Sequence, residues 1–396
     1  MTSYFENHRR NLIILFVITV LHLVVYSQVY GFRPNNDTDS FIYTIELFRG
    51  TGTELHPPRY LNPFYPLLGS TMLSGVSPAR SIIILNCIFY VGLILLTYDL
   101  VRRVFRRNDA GFYAALLVLT SYAILRYGLT QVQDIGGYFW FLATIYAGWR
   151  WWQDSDRRWL VLGGLATAFG ILTKESGAMG ALFVGILLIA RNYKTIKKGL
   201  IDFCIFAAAP AITMLVNSVR SHDVAFNSFD WFLFNWKQFA ATDYTLFRWF
   251  SINASTFNFL WILVMVGLYW VIKNRRALPS DVKIFLVAII PSSLSYFAWS
   301  LFISRTVFVS AWLFIAIAVY GLVILYDKGY RYLASTLLLI AVITPYILQS
   351  SIGYTPLFVI IEQKCHYKIG CSIQSFRESR KNFDNFTLYS DKIILK

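Results

Sequence analysis

The chain has 396 residues, of which 57% are hydrophobic, 18% aromatic and only 14% charged, with a mean hydropathy of +0.53 and a formal net charge of +15. These proportions exclude an ordinary soluble globule and describe a polytopic membrane protein. The positive charge excludes no partner by itself, but Lys and Arg fall in short clusters between apolar runs, the pattern of cytoplasmic loops, with no basic stripe of the nucleic-acid kind.

At about twenty residues per span, the sequence predicts roughly eleven transmembrane helices, near 11–30, 79–100, 111–129, 135–152, 159–173, 177–191, 200–219, 256–272, 283–303, 306–326 and 332–349. The first run lacks a small-residue cleavage site and is expected to stay as a helix. Six basic clusters follow: Arg9 and Arg10, Arg102 to Arg107, Arg150 to Arg158, Arg191 to Lys198, Lys273 to Lys283, and Lys328 with Arg331. All fall on one side of the membrane if the N-terminus is inside. The expected architecture is an all-α membrane body over 1–349, with a first outer loop at 31–78, an aromatic outer loop at 220–255 and a short tail at 350–396. An odd span count puts the tail outside, although its basic residues suit the cytoplasm equally. Cys87 and Cys204 sit in apolar runs, where buried small side chains are expected. Cys365 and Cys371, in the tail, are close enough to bridge if the tail meets an oxidising compartment.

The first long polar interruption, Arg33 to Leu68, opens with Asp37 and Asp39. Phe41, Ile45 and Phe48 then follow at helical spacing, so a short amphipathic helix is expected from Ser40 to Arg49, with Asp39 as its N-cap and Gly50 ending it. Pro57, Pro58, Pro63 and Pro66 stiffen a return that carries Arg59. The same parity brings Asp134, Lys174, Glu175 and Arg305 to the outer face. Each has a plain structural reading: Asp134 as a helix cap, Gly177 as a C-cap beside solvated Lys174 and Glu175, Arg59 and Arg305 as cations at the interface. Taken together they suit transfer from a lipid phosphate, where a carboxylate accepts the proton of an attacking hydroxyl and cations hold the leaving phosphate. Asp37 and Asp39 could also hold a divalent cation through hard oxygen ligands. No zinc-type cluster, phosphate-binding glycine loop or serine elbow is present. The aromatic run Phe229 to Phe250 reads either as an interfacial anchor or as one wall of a groove for a long lipid tail.

The run D-x-x-x-Y at Asp39 and Tyr43, R-Y-L-x-P at Arg59 to Pro63, the isolated Asp134 and T-K-E at Thr173 to Glu175 resemble the GT-C glycosyltransferases. More narrowly, they are similar to the branch containing protein O-mannosyltransferases and lipid A aminoarabinose transferases. The resemblance implies an integral membrane, inverting glycosyltransferase of the plasma or inner membrane or the endoplasmic reticulum. It would take a hexosyl or pentosyl group from a polyprenyl-phosphate-linked donor and pass it to a lipid, glycan or protein acceptor at the extracytoplasmic or lumenal face. It makes Asp39 the general base, Asp134 a second acidic site residue, Lys174, Arg305 and Arg59 the phosphate-binding cations, and Tyr43 and Glu175 supporting residues. No cofactor beyond the lipid donor is required. Many relatives have an acidic residue directly after the first Asp, where this chain has Ser40 and instead Asp37 two residues before, so the choice between Asp37 and Asp39 stays open. Rival readings are a lipid-linked glycan polymerase or ligase, a transporter or flippase, and a non-catalytic subunit. A transporter would be expected to place its charges in broken helices at mid-membrane, whereas here they sit at span ends.

Overall fold

The computed structural model describes residues 2–34, 37–54, 56–220, 253, 256–295 and 307–350. Arg305, the aromatic run Phe229 to Phe250 and the cysteines Cys365 and Cys371 lie outside the described residues. Within them the regular elements are helical: α1 Thr2–Val29, α2 Thr38–Arg49, α3 Pro57–Leu61, α4 Phe64–Ser70, α5 Pro78–Phe105, α6 Asn108–Leu119, α7 Asp134–Asp154 and α8 Arg158–Thr173. There follow α9 Glu175–Ala178, α10 Gly180–Asn192, α11 Ile196–Arg220, α12 Leu260–Lys273, α13 Ser280–Leu294, α14 Ala311–Asp327 and α15 Arg331–Ser350. Each expected apolar run meets helical structure among the described residues. Four segments are long and apolar enough to cross a membrane on length and composition: His8–Val29, Pro78–Phe105, Ile196–Arg220 and Phe308–Asp327.

The bundle is built around α7, which packs against α5, α8, α9 and α10. Its buried face carries Tyr138, Phe141, Ile145 and Trp149, at helical spacing. Lipid-facing helices show the opposite pattern. On α1 and α11 many large apolar side chains are exposed, among them Leu21, Val25, Leu215 and Val219, because hydrocarbon solvates them as well as a protein core would. Cys204 lies on this exposed surface of α11 and Cys87 is only half-buried, so neither is the fully buried small side chain that the sequence predicts.

One expected span, 111–129, is broken. Helix α6 stops at Leu119 and a π-helical turn runs from Ile124 to Gly128. A break inside the apolar layer frees backbone carbonyls that have no water to meet. Two tyrosines supply donors. The Tyr90 hydroxyl donates to Leu119 O at 2.9 Å and the Tyr26 hydroxyl to Leu125 O at 2.8 Å.

The two ends of the bundle are chemically different. Arg106 reaches Asp281 at the start of α13, Arg107 reaches Asp327 at the end of α14, and His8 stacks on Tyr98. Arg191 donates to Trp151 O at 2.7 Å. The basic clusters that alternate along the sequence therefore gather at one end, as their common parity predicts. At the other end lies the loop between α1 and α5.

That loop is a folded unit. Helix α2 buries Phe41 and Ile45 and ends at Gly50, whose φ of 72° is left-handed and whose N–H meets the carbonyls of Leu47 and Glu46. Its last residue, Arg49, lies with Nη2 at 2.5 Å from Gly69 O and at 2.8 Å from both Leu73 O and Val76 O, gathering the carbonyls of α4 and the following turn around one guanidinium. Replacing Arg49 by Met should therefore lower stability by about 1.5–3 kcal/mol, the cost of losing charge-assisted hydrogen bonds to these carbonyls. Thermal unfolding of the purified protein in detergent is expected to show a clear downward shift, and an unchanged transition would mean that the loop is held by its apolar contacts alone.

Candidate active site

Four segments distant in sequence meet at the end of the bundle opposite the basic clusters: the start of α2, the α3 region, the start of α7 and the α8–α9 junction. The first two are joined by Arg59, whose guanidinium lies 3.4 Å from Asp37 Oδ1, donates through Nε to Ser40 Oγ at 3.0 Å and stacks over Phe41 at 4.3 Å. The start of α2 is tied to the segment before α7 by Thr38 Oγ1, which donates to Gln131 O at 3.0 Å. Gln131 in turn bonds the chain leaving α1, through its backbone N–H to Arg33 O at 3.1 Å and its side-chain amide to Phe32 O at 2.7 Å.

A buried ion pair between Asp134 and Lys174 joins α7 to the α8–α9 junction; the two side chains are 2% and 17% exposed, so neither charge has water as its main partner. Close backbone packing makes the pair possible. A Cβ on Gly170 would sit 2.6 Å from the carbonyl carbon of Gly177, and one on Gly137 would meet the Lys174 Cβ at 3.1 Å. Only residues without side chains allow α7, α8 and α9 to approach this closely. Beside the pair, Asn62 Nδ2 donates to Glu175 Oε1 at 2.9 Å, which draws the α3 return onto the same junction.

The carboxylates differ in their surroundings. Asp37 is half-buried against Arg59, whereas Asp39 is exposed in the first turn of α2, where the helix dipole favours its negative form. Asp39 is not the N-cap that the sequence predicts. Asp37 holds that position, in a helical conformation and with no side-chain capping bond, because the helix begins at Thr38 and Ser40 Oγ donates back to Asp37 O at 2.6 Å. Asp134 likewise is the first residue of α7 behind Gln133, and Gly177 sits inside α9 rather than at the end of α8, where Lys174 is the C-cap. Asp39 and Asp134 thus lie in first helical turns rather than at the caps, while Asp37 and Lys174 occupy cap positions.

Of the residues singled out by sequence, Asp37, Asp39, Arg59, Asp134, Lys174 and Glu175 all lie in these four segments. Tyr43 is 41% exposed on α2. Among the described residues no group of three or more His, Cys, Asp or Glu side chains converges in a way that would hold a metal ion. Several contributors were not anticipated. Asn62, Ser40 and Gln131 make the bonds given above, and His56 stands beside Arg59 and Asp37. Burial lowers the His56 pKa, the Arg59 cation lowers it further, and Asp37 opposes both, so the imidazole is neutral at pH 7. On α11, Asn217 Nδ2 donates to Leu61 O at 3.0 Å and Arg220 donates to Tyr60 O while lying 4.6 Å over the Tyr60 ring, which holds α3 from the other side. Asn217 could have been suspected as an isolated amide near the end of an apolar run.

The Asp134–Lys174 pair separates structural from chemical roles. Asp134→Asn removes the countercharge of a largely buried ammonium group and should cost about 3–5 kcal/mol of stability. Pairing it with Lys174→Met should restore most of that loss, since two neutral side chains of similar volume leave no stranded charge. Thermal unfolding of the single and double variants checks this, and equal melting of wild type and Asp134→Asn would show that the pair carries no stability.

Residues 56–217 match the family profile described as dolichyl-phosphate-mannose-protein mannosyltransferase, a stretch running from His56 through α11 and including Arg59, Asp134, Lys174 and Glu175. No curated protein sequence matches the chain. Among solved structures, the chain is similar to the archaeal oligosaccharyltransferase AglB from Archaeoglobus fulgidus, solved in complex with an inhibitory peptide and a dolichol-phosphate. The TM-score is 0.53 at 14% sequence identity, covering 92% of this chain and 56% of that one, so the chain spans little more than half the length of that protein. Among the described residues the helical membrane body thus resembles the GT-C membrane fold of that protein, and residues 56–217, less than half of the chain, match the dolichyl-phosphate-mannose-protein mannosyltransferase profile.

Proposed function

We propose that this protein is an integral membrane glycosyltransferase that moves a sugar, with inversion, from a polyprenyl-phosphate-linked donor to a hydroxyl-bearing acceptor at the extracytoplasmic or lumenal face. The observation that carries the proposal is the convergence of Asp37, Asp39, Arg59, Asp134, Lys174 and Glu175 from four segments onto one end of an apolar bundle. Support comes also from the family profile over 56–217 and from a fold neighbour solved with a dolichol-phosphate.

In this reading Asp39 is the general base. It is exposed, whereas Asp37 is engaged by Arg59, so an incoming acceptor meets Asp39 first. The acceptor oxygen attacks the anomeric carbon and its proton passes to the Asp39 carboxylate. The bond from the anomeric carbon to the phosphate oxygen breaks, its electron pair leaves with the phosphate, and the products are the glycosylated acceptor and the polyprenyl phosphate. Arg59 and Lys174, with Arg305, stabilise the charge that develops on that phosphate. Asp134 holds Lys174 in place through the ion pair, Asn62 and Glu175 fix the α3 return against it, and Tyr43 borders the acceptor side. The reaction needs no redox step and no activating group beyond the donor's own phosphate. An acceptor on protein is favoured by the description of the matched family, with lipid and glycan acceptors as the alternatives.

A transporter reading finds less support, since the charges lie at helix ends around a folded loop rather than along a path through mid-membrane. Incubating the purified protein with a panel of radiolabelled polyprenyl-phosphate sugars and hydroxyl acceptors tests the proposal. Asp39→Asn is expected to lose transfer by about 100-fold or more, the scale of a missing general base, with its melting transition unchanged. Asp37→Asn should retain more activity but melt lower, because Arg59 loses a partner. An inactive Asp37→Asn beside an active Asp39→Asn would exchange the two roles, and release of label by neither the wild type nor any variant across the panel would overturn the proposal.

A further inference from the structure

We infer that Asn86, on α5, and Tyr65, on α4, are positioning residues for Asp134: together they hold the backbone on both sides of it and so set where the Asp134–Lys174 pair lies. The inference rests on the reading in which Lys174 meets the donor phosphate. It extends that reading to two neutral side chains that are fully buried.

Between the π-helical turn and α7 the chain passes through Thr130, Gln131 and Val132 outside any helix, so their carbonyls need partners from elsewhere. Side chains supply them. Asn86 Nδ2 donates to Thr130 O at 2.7 Å and to Val132 O at 2.8 Å, and Thr38 takes the Gln131 carbonyl between them. Two carbonyls on one side fix the orientation of the Asn86 amide, whose oxygen accepts from the Tyr65 hydroxyl at 2.9 Å. Both N–H groups of the amide are thereby used. Asn86 and Tyr65 are each 0% exposed, so water does not compete for these bonds.

The same tyrosine reaches the other side of Asp134. Its ring lies so close to the first turn of α7 that a Cβ on Gly136 would sit 2.5 Å from Cε2 and 2.6 Å from the hydroxyl oxygen. The Gly136 N–H, a first-turn donor without a helical partner, interacts with that oxygen. Phe89, three residues after Asn86 on α5, stacks on Tyr65 with ring centroids 5.6 Å apart and fixes the ring. Asp134 is thus bracketed, with Thr130 and Val132 before it and Gly136 after it tied to one Asn86–Tyr65 pair. Movement of either end shifts the Asp134 carboxylate against Lys174. Tyr65 also completes a pattern in the proline-bearing return: Arg59, Asn62 and Tyr65 stand three residues apart and reach, in turn, the start of α2, Glu175 and the start of α7. These three side chains each fix a different segment, the support that a binding constellation needs to keep its geometry.

The test is a pair of double-mutant cycles on the intact detergent-purified protein. In the first, read by thermal unfolding, Asp134→Asn is introduced into the wild type, Asn86→Leu and Tyr65→Phe. A loosened bracket leaves a weaker ion pair to lose, so in both variants the melting shift caused by Asp134→Asn is expected to fall below about half its wild-type size, whereas independent sites would add. In the second, read by titration with a polyprenyl phosphate, both variants are expected to bind more weakly, Asn86→Leu by about tenfold, the scale of one hydrogen bond to a charged group. Once Asp134→Asn and Lys174→Met are both in place, the same variants should change affinity by less than about twofold. Equal Asp134→Asn shifts in every background, or lowered melting with wild-type lipid affinity, would overturn the inference by showing that Asn86 and Tyr65 only support the fold. Tyr65→Phe keeps the ring packing and decides both cycles if Asn86→Leu does not fold. Failure of the wild type to bind polyprenyl phosphate would overturn the proposed function, and the melting cycle would then decide the positioning of Asp134 by itself.

Discussion

The ion pair between Asp134 and Lys174 is the constraint on which the rest of the arrangement depends. Opposite charges withdrawn from water are tolerated only when their geometry is well fixed, and here the fixing is done by backbone contact through Gly137, Gly170 and Gly177. Once α8 and α9 are seated against α7, Lys174 and its neighbour Glu175 have a defined place. Asn62 can then reach Glu175 from the α3 return, and Arg59, three residues earlier in the chain, can join α3 to the start of α2. Four segments with no sequence proximity are thus coupled through a short series of polar contacts at one end of an apolar body.

The bundle is asymmetric for a related reason. Carboxylates and cations at the loop end are paired across segments and organised around a stiff, proline-bearing return. Arginines at the other end are pinned near helix termini by Asp99, Asp109, Asp281 and Asp327. A long apolar layer separates the two, and where it is interrupted, between α6 and the π-helical turn, Tyr90 and Tyr26 donate to the buried carbonyls of Leu119 and Leu125.

Much of this was legible in the sequence, because the physics that dominates a membrane protein is written in hydropathy and charge. Apolar runs predicted the helices, basic clusters predicted which helix ends belong together, and Phe41, Ile45 and Gly50 predicted α2 and its end. The polar details were not legible. The sequence predicts Asp39 and Asp134 as N-caps, and the caps lie two and one positions earlier, at Asp37 and Gln133, because a cap differs from a first-turn residue only in backbone angles that neighbours decide. Asn62 and Gln131 carried no signal, since an amide becomes informative only when its partner is known. Local pattern around Gly177 indicates only a helix end, whereas its close contact is with Gly170, in another helix.

The central claim is that the loop end of the bundle binds a lipid phosphate among Asp39, Arg59 and Lys174. Electron cryo-microscopy of the protein in nanodiscs, saturated with a polyprenyl phosphate, tests it most directly. The account predicts phosphate density within about 3 Å of a nitrogen of Arg59 or Lys174, as a charge-assisted hydrogen bond requires, with the Asp39 carboxylate open to solvent beside it. Phosphate density at the basic end alone, with the Asp134–Lys174 region unoccupied, would contradict it.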